Sequence, residues 1–152
     1  MSQWNKIPGI NENQDIDCEF LLKWLEECEN ILNNDEMNYL YYKIGFMLGK
    51  FEKNENNLPC GEICDLIELF DNNQINNGFL VGINPMRNFI GTVMFAGNNF
   101  ERELSRIWGD FAEENVDKYP VICKLLKYLS KEYKQKAHEN EIDDEMNDLE
   151  YD

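Results

Sequence analysis

The side chains able to support nucleophilic or metal chemistry are few and scattered along this chain. The sequence has five cysteines and one histidine, namely Cys18, Cys28, Cys60, Cys64, Cys123 and His138. Cys60 follows Pro59 at the predicted amino end of a helix, where a thiolate is stabilised, so a reactive thiol is one alternative to a packed, inert one. Cys60 and Cys64 are separated by three residues and no second pair completes a tetrahedral zinc site.

Motifs for phosphate or calcium binding are also missing. The sequence contains neither a glycine-rich dinucleotide fingerprint nor a Walker-type loop, and its acids do not follow the calcium-loop pattern. His138 lies near the end of the last predicted helix, where a lone histidine is ordinarily a surface or capping residue. We therefore expect no enzyme activity, no cofactor and no metal site.

What remains is a surface in which acids precede tyrosines. The acidic side chains are Glu26, Glu27, Glu29, Asp35 and Glu36, and Tyr41 and Tyr42 follow closely. Carboxylates attract lysine and arginine side chains, while tyrosines are effective rigid anchors at protein interfaces. These seven residues are the predicted partner-binding site.

The charge of the chain limits the classes of partner. Its 30 acidic and 14 basic residues give a formal net charge of −16, which repels nucleic acid and anionic membrane surfaces. The same field attracts basic proteins and accelerates their encounter. A basic protein partner is therefore expected, although the acidity alone would also serve solubility.

The elements that position these residues are predicted to be helices. Apolar residues recur at helical spacing after the candidate N-caps Asp15 and Asp17, and they are Phe20, Leu21, Trp24, Leu25, Cys28, Ile31 and Leu32. Asp35 is the predicted cap of a second helix that is apolar on nearly all sides and therefore central. Within it Gly45 and Gly49 are four residues apart, which favours close packing of a neighbouring helix.

Further helices are predicted after Pro59, after Asn84-Pro85, after Asn98-Asn99 and from Tyr119-Pro120. Residues 71–78 are rich in turn-forming types, and residues 79–83 are predicted as a short extended segment or strand. The expected fold is thus an all-α, single-domain bundle of five or six helices over residues 1–138. Residues 139–152 carry eight acids and no base, which predicts an acidic C-terminal tail that can pair with the lysine-rich last helix.

The combination of Asp35 and Glu36 with the adjacent Tyr41 and Tyr42, in a small acidic chain, resembles a known class of bacterial inhibitor. These are the immunity proteins that neutralise toxins of the colicin and contact-dependent inhibition systems. In those that inhibit DNase colicins, an acidic helix and a neighbouring Tyr-Tyr pair bind the basic toxin. The resemblance implies that these four residues contribute to binding a basic toxin.

The expected function is non-catalytic inhibition of a basic toxin or effector, with a nuclease as one candidate, by occlusion of its active site. No apolar run is long enough to cross a membrane and the chain starts without a signal peptide, so a cytoplasmic location is expected. One alternative is a structural protein that forms a homo-oligomer through an apolar patch over residues 79–95. Another is an enzyme that uses Cys60 or His138.

Overall fold

The computed structural model describes residues 7–10, 15–51, 58–85 and 99–150 of the chain. These residues form helices and no strand, apart from one isolated bridge between Ile10 and Ile16, which confirms the predicted all-α class. The helices are α1 (Cys18–Ile31), α2 (Asn34–Lys50), α3 (Gly61–Phe70), α4 (Asn73–Ile83), α5 (Asn99–Asn115) and α6 (Pro120–Glu150). They cluster into two compact units, of which the first contains α1 to α4 and the second contains α5 and α6.

Helix α1 begins where the sequence predicted. The side chain of Asp17 accepts a hydrogen bond from the backbone N–H of Phe20 at 3.1 Å and so caps the helix. Its buried face is narrower than expected, because Leu21 and Leu25 are buried whereas Phe20 and Ile31 are 51% and 80% exposed. The apolar residues recur at helical spacing as predicted, but part of that pattern lies on the exposed surface of α1.

Helix α2 is capped two residues earlier than predicted. Asn33, not Asp35, is the N-cap: its Oδ1 accepts from the N–H of Glu36 at 2.9 Å, and the Glu36 carboxylate accepts from the N–H of Asn33 at 3.1 Å. This reciprocal capping box satisfies two backbone donors that would otherwise lack intrahelical partners. Asp35 lies instead in the first turn, where its charge interacts favourably with the helix dipole.

The core of the first unit is a very close contact between α2 and α4. It is formed by four glycines, Gly45 and Gly49 on α2 and Gly78 and Gly82 on α4, which we call the glycine seam. A Cβ atom on Gly45 would lie 1.9 Å from the carbonyl oxygen of Ile75, and one on Gly78 would lie 2.0 Å from that of Tyr42. The close packing predicted from the spacing of Gly45 and Gly49 is thus confirmed.

Residues 71–83 differ from the sequence-based prediction. Asp71, at φ 40°, ends α3, and the Asn72 side chain then accepts from the N–H groups of Gln74 and Ile75 and starts α4 at once. Residues 79–83 are helical rather than extended, because this segment packs along its length against α2. Phe79 and Ile83 are fully buried, so they offer no exposed patch for self-assembly, and residues 86–95 lie outside the described part of the chain.

The second unit is a pair of helices joined across their middle by two serines. Ser105 Oγ donates to the carbonyl oxygen of Ser130 at 2.7 Å, and Ser130 Oγ donates to that of Ser105 at 2.6 Å. Trp108 and Tyr133 are fully buried and meet edge to face, with ring centroids 5.0 Å apart. Small polar side chains and one aromatic pair therefore hold α5 against α6.

Helix α6 is longer than predicted, because its backbone stays helical through the acidic segment as far as Glu150. Like charges spaced along a helix cost only about 0.2–0.5 kcal/mol per pair, and glutamate is a good helix former. The predicted boundary between a domain over 1–138 and a tail over 139–152 stays a prediction. A return of the segment onto the lysines of the same helix, however, is incompatible with one continuous helix.

Candidate partner-binding surface

The five acids singled out in the sequence are all exposed and lie on α1 and the start of α2. We call Glu26, Glu27, Glu29, Asp35 and Glu36 the acidic surface. Residues 15–51, which include it, carry eight acidic and three basic side chains. The acidic surface therefore presents a negative field on two connected helices, as a site for a basic protein requires.

Glu29 and Tyr41 connect α1 to α2, since the Tyr41 hydroxyl donates a hydrogen bond to the Glu29 carboxylate. Partial burial, the hydrogen bond and the Glu29 charge raise the pKa of Tyr41 to about 12. The neutral phenol is thus the form that this contact stabilises. The pairing fixes the Tyr41 ring, which keeps little rotamer freedom to lose on binding a partner.

The raised pKa of Tyr41 predicts a pH-dependent contribution to stability. A folded pKa of about 12 against the ordinary value of 10.0 means that the stabilisation is complete below pH 10 and is lost as the pH rises towards 12. We expect Tyr41→Phe to weaken that loss, so that the free energy of unfolding falls less steeply between pH 10 and pH 12. Ultraviolet titration of tyrosinate should lose its highest-pH step.

The exposed Tyr39→Phe variant is the matched control for Tyr41→Phe. It should keep the late tyrosinate step and the steeper decline in stability. A late step retained in Tyr41→Phe would show that another tyrosine is responsible for it.

Tyr41 and Tyr42 do not lie on one face of α2. Asp35, Tyr39 and Tyr42 follow i, i+4, i+7 spacing and so share a stripe, from which Tyr41 is displaced by about 100°. Tyr42 is half-buried, whereas Tyr39 is 62% exposed. Tyr39 is therefore more accessible to a partner than Tyr42. The sequence-based prediction selected the adjacent pair Tyr41 and Tyr42 and did not include Tyr39.

One flank of α1 adds exposed apolar side chains to the acidic surface. Phe20, Glu27 and Ile31 fall on this flank by their spacing of seven and four residues, and both apolar side chains are exposed. Glu26 and Glu29 lie on the other flank, nearer to Tyr41. Ile31 and Phe20 were not selected from the sequence as surface residues, because their helical spacing is typical of core positions.

A groove lies between α5 and α6 in the second unit. It has a volume of about 630 Å³. Its lining contains four lysines, Lys124, Lys127, Lys131 and Lys134, and one acid, Glu113. The apolar part of the lining comes from Ala112, Val116, Pro120 and Cys123. A locally basic surface thus lies on α6 of this acidic chain.

The chain matches no protein-family model, curated protein or solved structure. In the described part of the chain, no helix has both the length and the apolarity needed to cross a lipid bilayer. Nor does any group of three or more histidine, cysteine, aspartate or glutamate side chains in that part come together to hold a metal ion. The functional assignment rests on the surfaces described above.

The cysteines and the histidine are dispersed over the two units. Cys60 is the N-cap of α3 without a side-chain capping bond, Cys64 is buried, and Cys123 is buried in the second unit. Burial, followed by nearby carboxylates, raises the pKa of both the Cys18 and Cys28 thiols, which lowers their thiolate fraction. His138 is exposed on α6. Within the second unit, Cys123 and His138 lie fifteen residues apart along α6.

Proposed function

We propose that this protein is a non-catalytic inhibitor that binds a basic protein through the acidic surface. The observation that carries the proposal is that exposed carboxylates and exposed large apolar side chains, Tyr39 and Ile31, occur together on α1 and α2. Interfaces of high affinity combine such anchors with charges that guide the encounter. The proposed partner is a basic toxin or effector. A nuclease is one candidate, because a nuclease binds its substrate in a cationic groove.

The mechanism is occlusion. Glu26, Glu27 and Asp35 attract the cationic groove of the partner and accelerate association, an effect that salt screens over about 8 Å at physiological ionic strength. The aromatic and apolar side chains then become desolvated and slow dissociation. The bound inhibitor excludes the substrate from the active site of its partner. Both proteins must be in one compartment for this, and the compartment that we propose is the cytoplasm.

Two members of the predicted site have structural partners of their own. Glu36 accepts the backbone N–H of Asn33, and Glu29 accepts the hydroxyl of Tyr41. Removal of either carboxylate changes helix capping or the α1–α2 connection as well as the surface charge. Glu26 and Glu27 are therefore the better positions at which to test electrostatic recognition without altering the fold.

The test is affinity capture from the native cell followed by binding kinetics with the captured basic protein. We expect Glu26→Lys/Glu27→Lys to slow association at least about tenfold at low salt, because two charges near the interface change sign. The rates of wild type and variant should converge at high salt. Surface plasmon resonance over a series of salt concentrations measures both effects.

Glu114→Lys/Asp117→Lys is the matched control, since it makes the same change in net charge at exposed positions of the second unit. It should reduce the association rate much less. Equal reductions by both variants would mean that net charge, rather than the acidic surface, governs binding. Capture of no basic protein by the wild type would refute the inhibitor proposal.

A further inference from the structure

The groove between α5 and α6, which we call the lysine groove, has walls of different charge. Its four lysines, Lys124, Lys127, Lys131 and Lys134, are spaced by three, four and three residues and so follow one stripe of α6. The acid among its described lining residues, Glu113, belongs to α5. The α6 wall is therefore basic along its length, whereas the α5 wall carries a negative charge.

The four lysines have no acidic neighbours on their own helix. Every position three or four residues away from one of them holds another lysine, His138 or an uncharged side chain. Nor does an ion pair join any of them to a carboxylate within the described part of the chain. Arg106 on α5 shows the usual arrangement, because Glu103 and Asp110 pair with it from the preceding and following turns. Neighbouring like charges destabilise a helix, so carboxylates from a partner would relieve the repulsion among these lysines.

Small side chains form the floor of the lysine groove. Gly109 and Ala112 contribute from α5, and Cys123 and Ser130 contribute from α6. Ala112 and Cys123 are buried although they line the groove, so they lie at its bottom. Val116, which is 50% exposed, adds apolar surface. Short side chains leave space into which the large apolar side chains of another helix can pack, as knobs pack into holes.

We propose that the lysine groove binds an acidic, amphipathic helix of a partner protein. Pro120 and Lys134, the two ends of the α6 wall, are fourteen residues apart, or about 21 Å, which is the length of a helix of about 14 residues. Glutamates or aspartates at i, i+3, i+7 and i+10 of the bound helix have the same axial spacing as the four lysines. Apolar side chains on the adjacent stripe of that helix enter the floor, which is the helix-in-groove mode of recognition.

Glu113 limits where the acids of the partner helix can lie. Because Glu113 is on the α5 wall, an acid on that flank of the bound helix would meet a like charge. The partner helix therefore carries its acids on the flank beside α6 and a neutral or basic side chain opposite Glu113. The lysine groove belongs to the second unit, so this inference does not depend on the acidic surface on α1 and α2.

Other anionic ligands match the lysine groove less well. A single carboxylate or phosphate reaches neighbouring lysines only, whereas Lys124 and Lys134 are about 15 Å apart along the helix. A nucleic acid pairs with lysines but leaves the apolar floor unfilled, and the net charge of −16 repels so dense a polyanion. A flat bilayer surface cannot enter a groove between two helices. An acidic, amphipathic helix satisfies both the basic wall and the apolar floor.

The test measures the binding of a labelled synthetic peptide to the full-length chain by fluorescence anisotropy. The peptide is a helix of about 14 residues with leucines on one stripe and glutamates on the flank beside it. We expect saturable binding at low salt. Lys127→Gln/Lys134→Gln should raise the dissociation constant of the peptide at least about tenfold, because two charge pairs beside the floor are lost. Replacement of the glutamates of the peptide by glutamine should weaken binding with no change in the protein.

Lys118→Gln/Lys136→Gln is the matched control, because it makes the same change in net charge at exposed lysines of the second unit that do not line the groove. It should change the dissociation constant by less than about twofold. Circular dichroism must show wild-type helicity in both variants. Equal weakening by the two variants, or undiminished binding of the glutamine peptide, would overturn the proposal.

Further measurements distinguish a helix from other anionic partners. Val116→Ser should raise the dissociation constant of the peptide about threefold to fivefold, because an apolar contact in the groove is lost. A peptide of the same charge with a central proline should bind at least about tenfold more weakly, since it cannot form one continuous helix. An acidic helix is excluded as the occupant if wild type binds no peptide or binds the proline peptide equally well. Tighter binding of a single-stranded oligonucleotide or of phosphatidylserine vesicles through the same lysines would exclude it too.

Discussion

Gly45→Ala is expected to lower the free energy of unfolding by about 3 kcal/mol or more. The added Cβ would lie 1.9 Å from the carbonyl oxygen of Ile75 and 2.9 Å from its Cα, so it meets backbone atoms that no side-chain rotation can move. Helix α4 must separate from α2 to accept the methyl group. That separation removes contacts along the whole glycine seam.

Urea unfolding monitored by circular dichroism measures this loss, and hydrogen exchange should show reduced protection in α2 and α4. Gly61→Ala is the matched control, because a Cβ at Gly61 would meet no atom within 4 Å apart from its chain neighbours and the backbone of its own helix. Alanine at that first helical position should change the stability by less than about 1 kcal/mol, in the stabilising direction. Comparable destabilisation by the two variants would contradict the role of the glycine seam.

The same glycines explain which part of the fold could be predicted from the sequence. The Gly45 and Gly49 spacing on an apolar helix correctly predicted a closely packed neighbour. The identity of that neighbour was hidden, because Asn76, Asn77 and Gly78 are typical of turns. In the folded unit Gly78 and Gly82 are required for close approach to α2, so tertiary packing overrides their weak helix propensity.

The candidate site was predictable in composition but not in detail. Exposure of the five carboxylates follows from their charge, since ionised side chains are rarely buried. Exposure of Phe20 and Ile31 could not be predicted, because the helical pattern does not show that only Leu21 and Leu25 contact the core. The Glu29–Tyr41 contact joins two helices across twelve residues of sequence, which local spacing does not predict.

The lysine groove could not be predicted from the sequence. The sequence shows a lysine-rich last helix, but local spacing does not show that α5 packs beside it and contributes Ala112, Glu113 and Val116 to the groove.

Trp108→Ala is expected to destabilise the second unit by about 3–5 kcal/mol, as is usual when a buried aromatic side chain is deleted. The Trp108 side chain is completely buried and packs edge to face against Tyr133, with the ring centroids 5.0 Å apart. The cavity left behind lies between α5 and α6, so protection from hydrogen exchange should fall in both helices.

The matched control for Trp108→Ala is Tyr128→Ala, which deletes an aromatic side chain that is 53% exposed on α6. It should cost less than about 1 kcal/mol, because little apolar area returns to water. Trp108→Phe should recover much of the stability by filling part of the cavity. Retention of full stability by Trp108→Ala would show that the Trp108–Tyr133 contact does not hold these helices together.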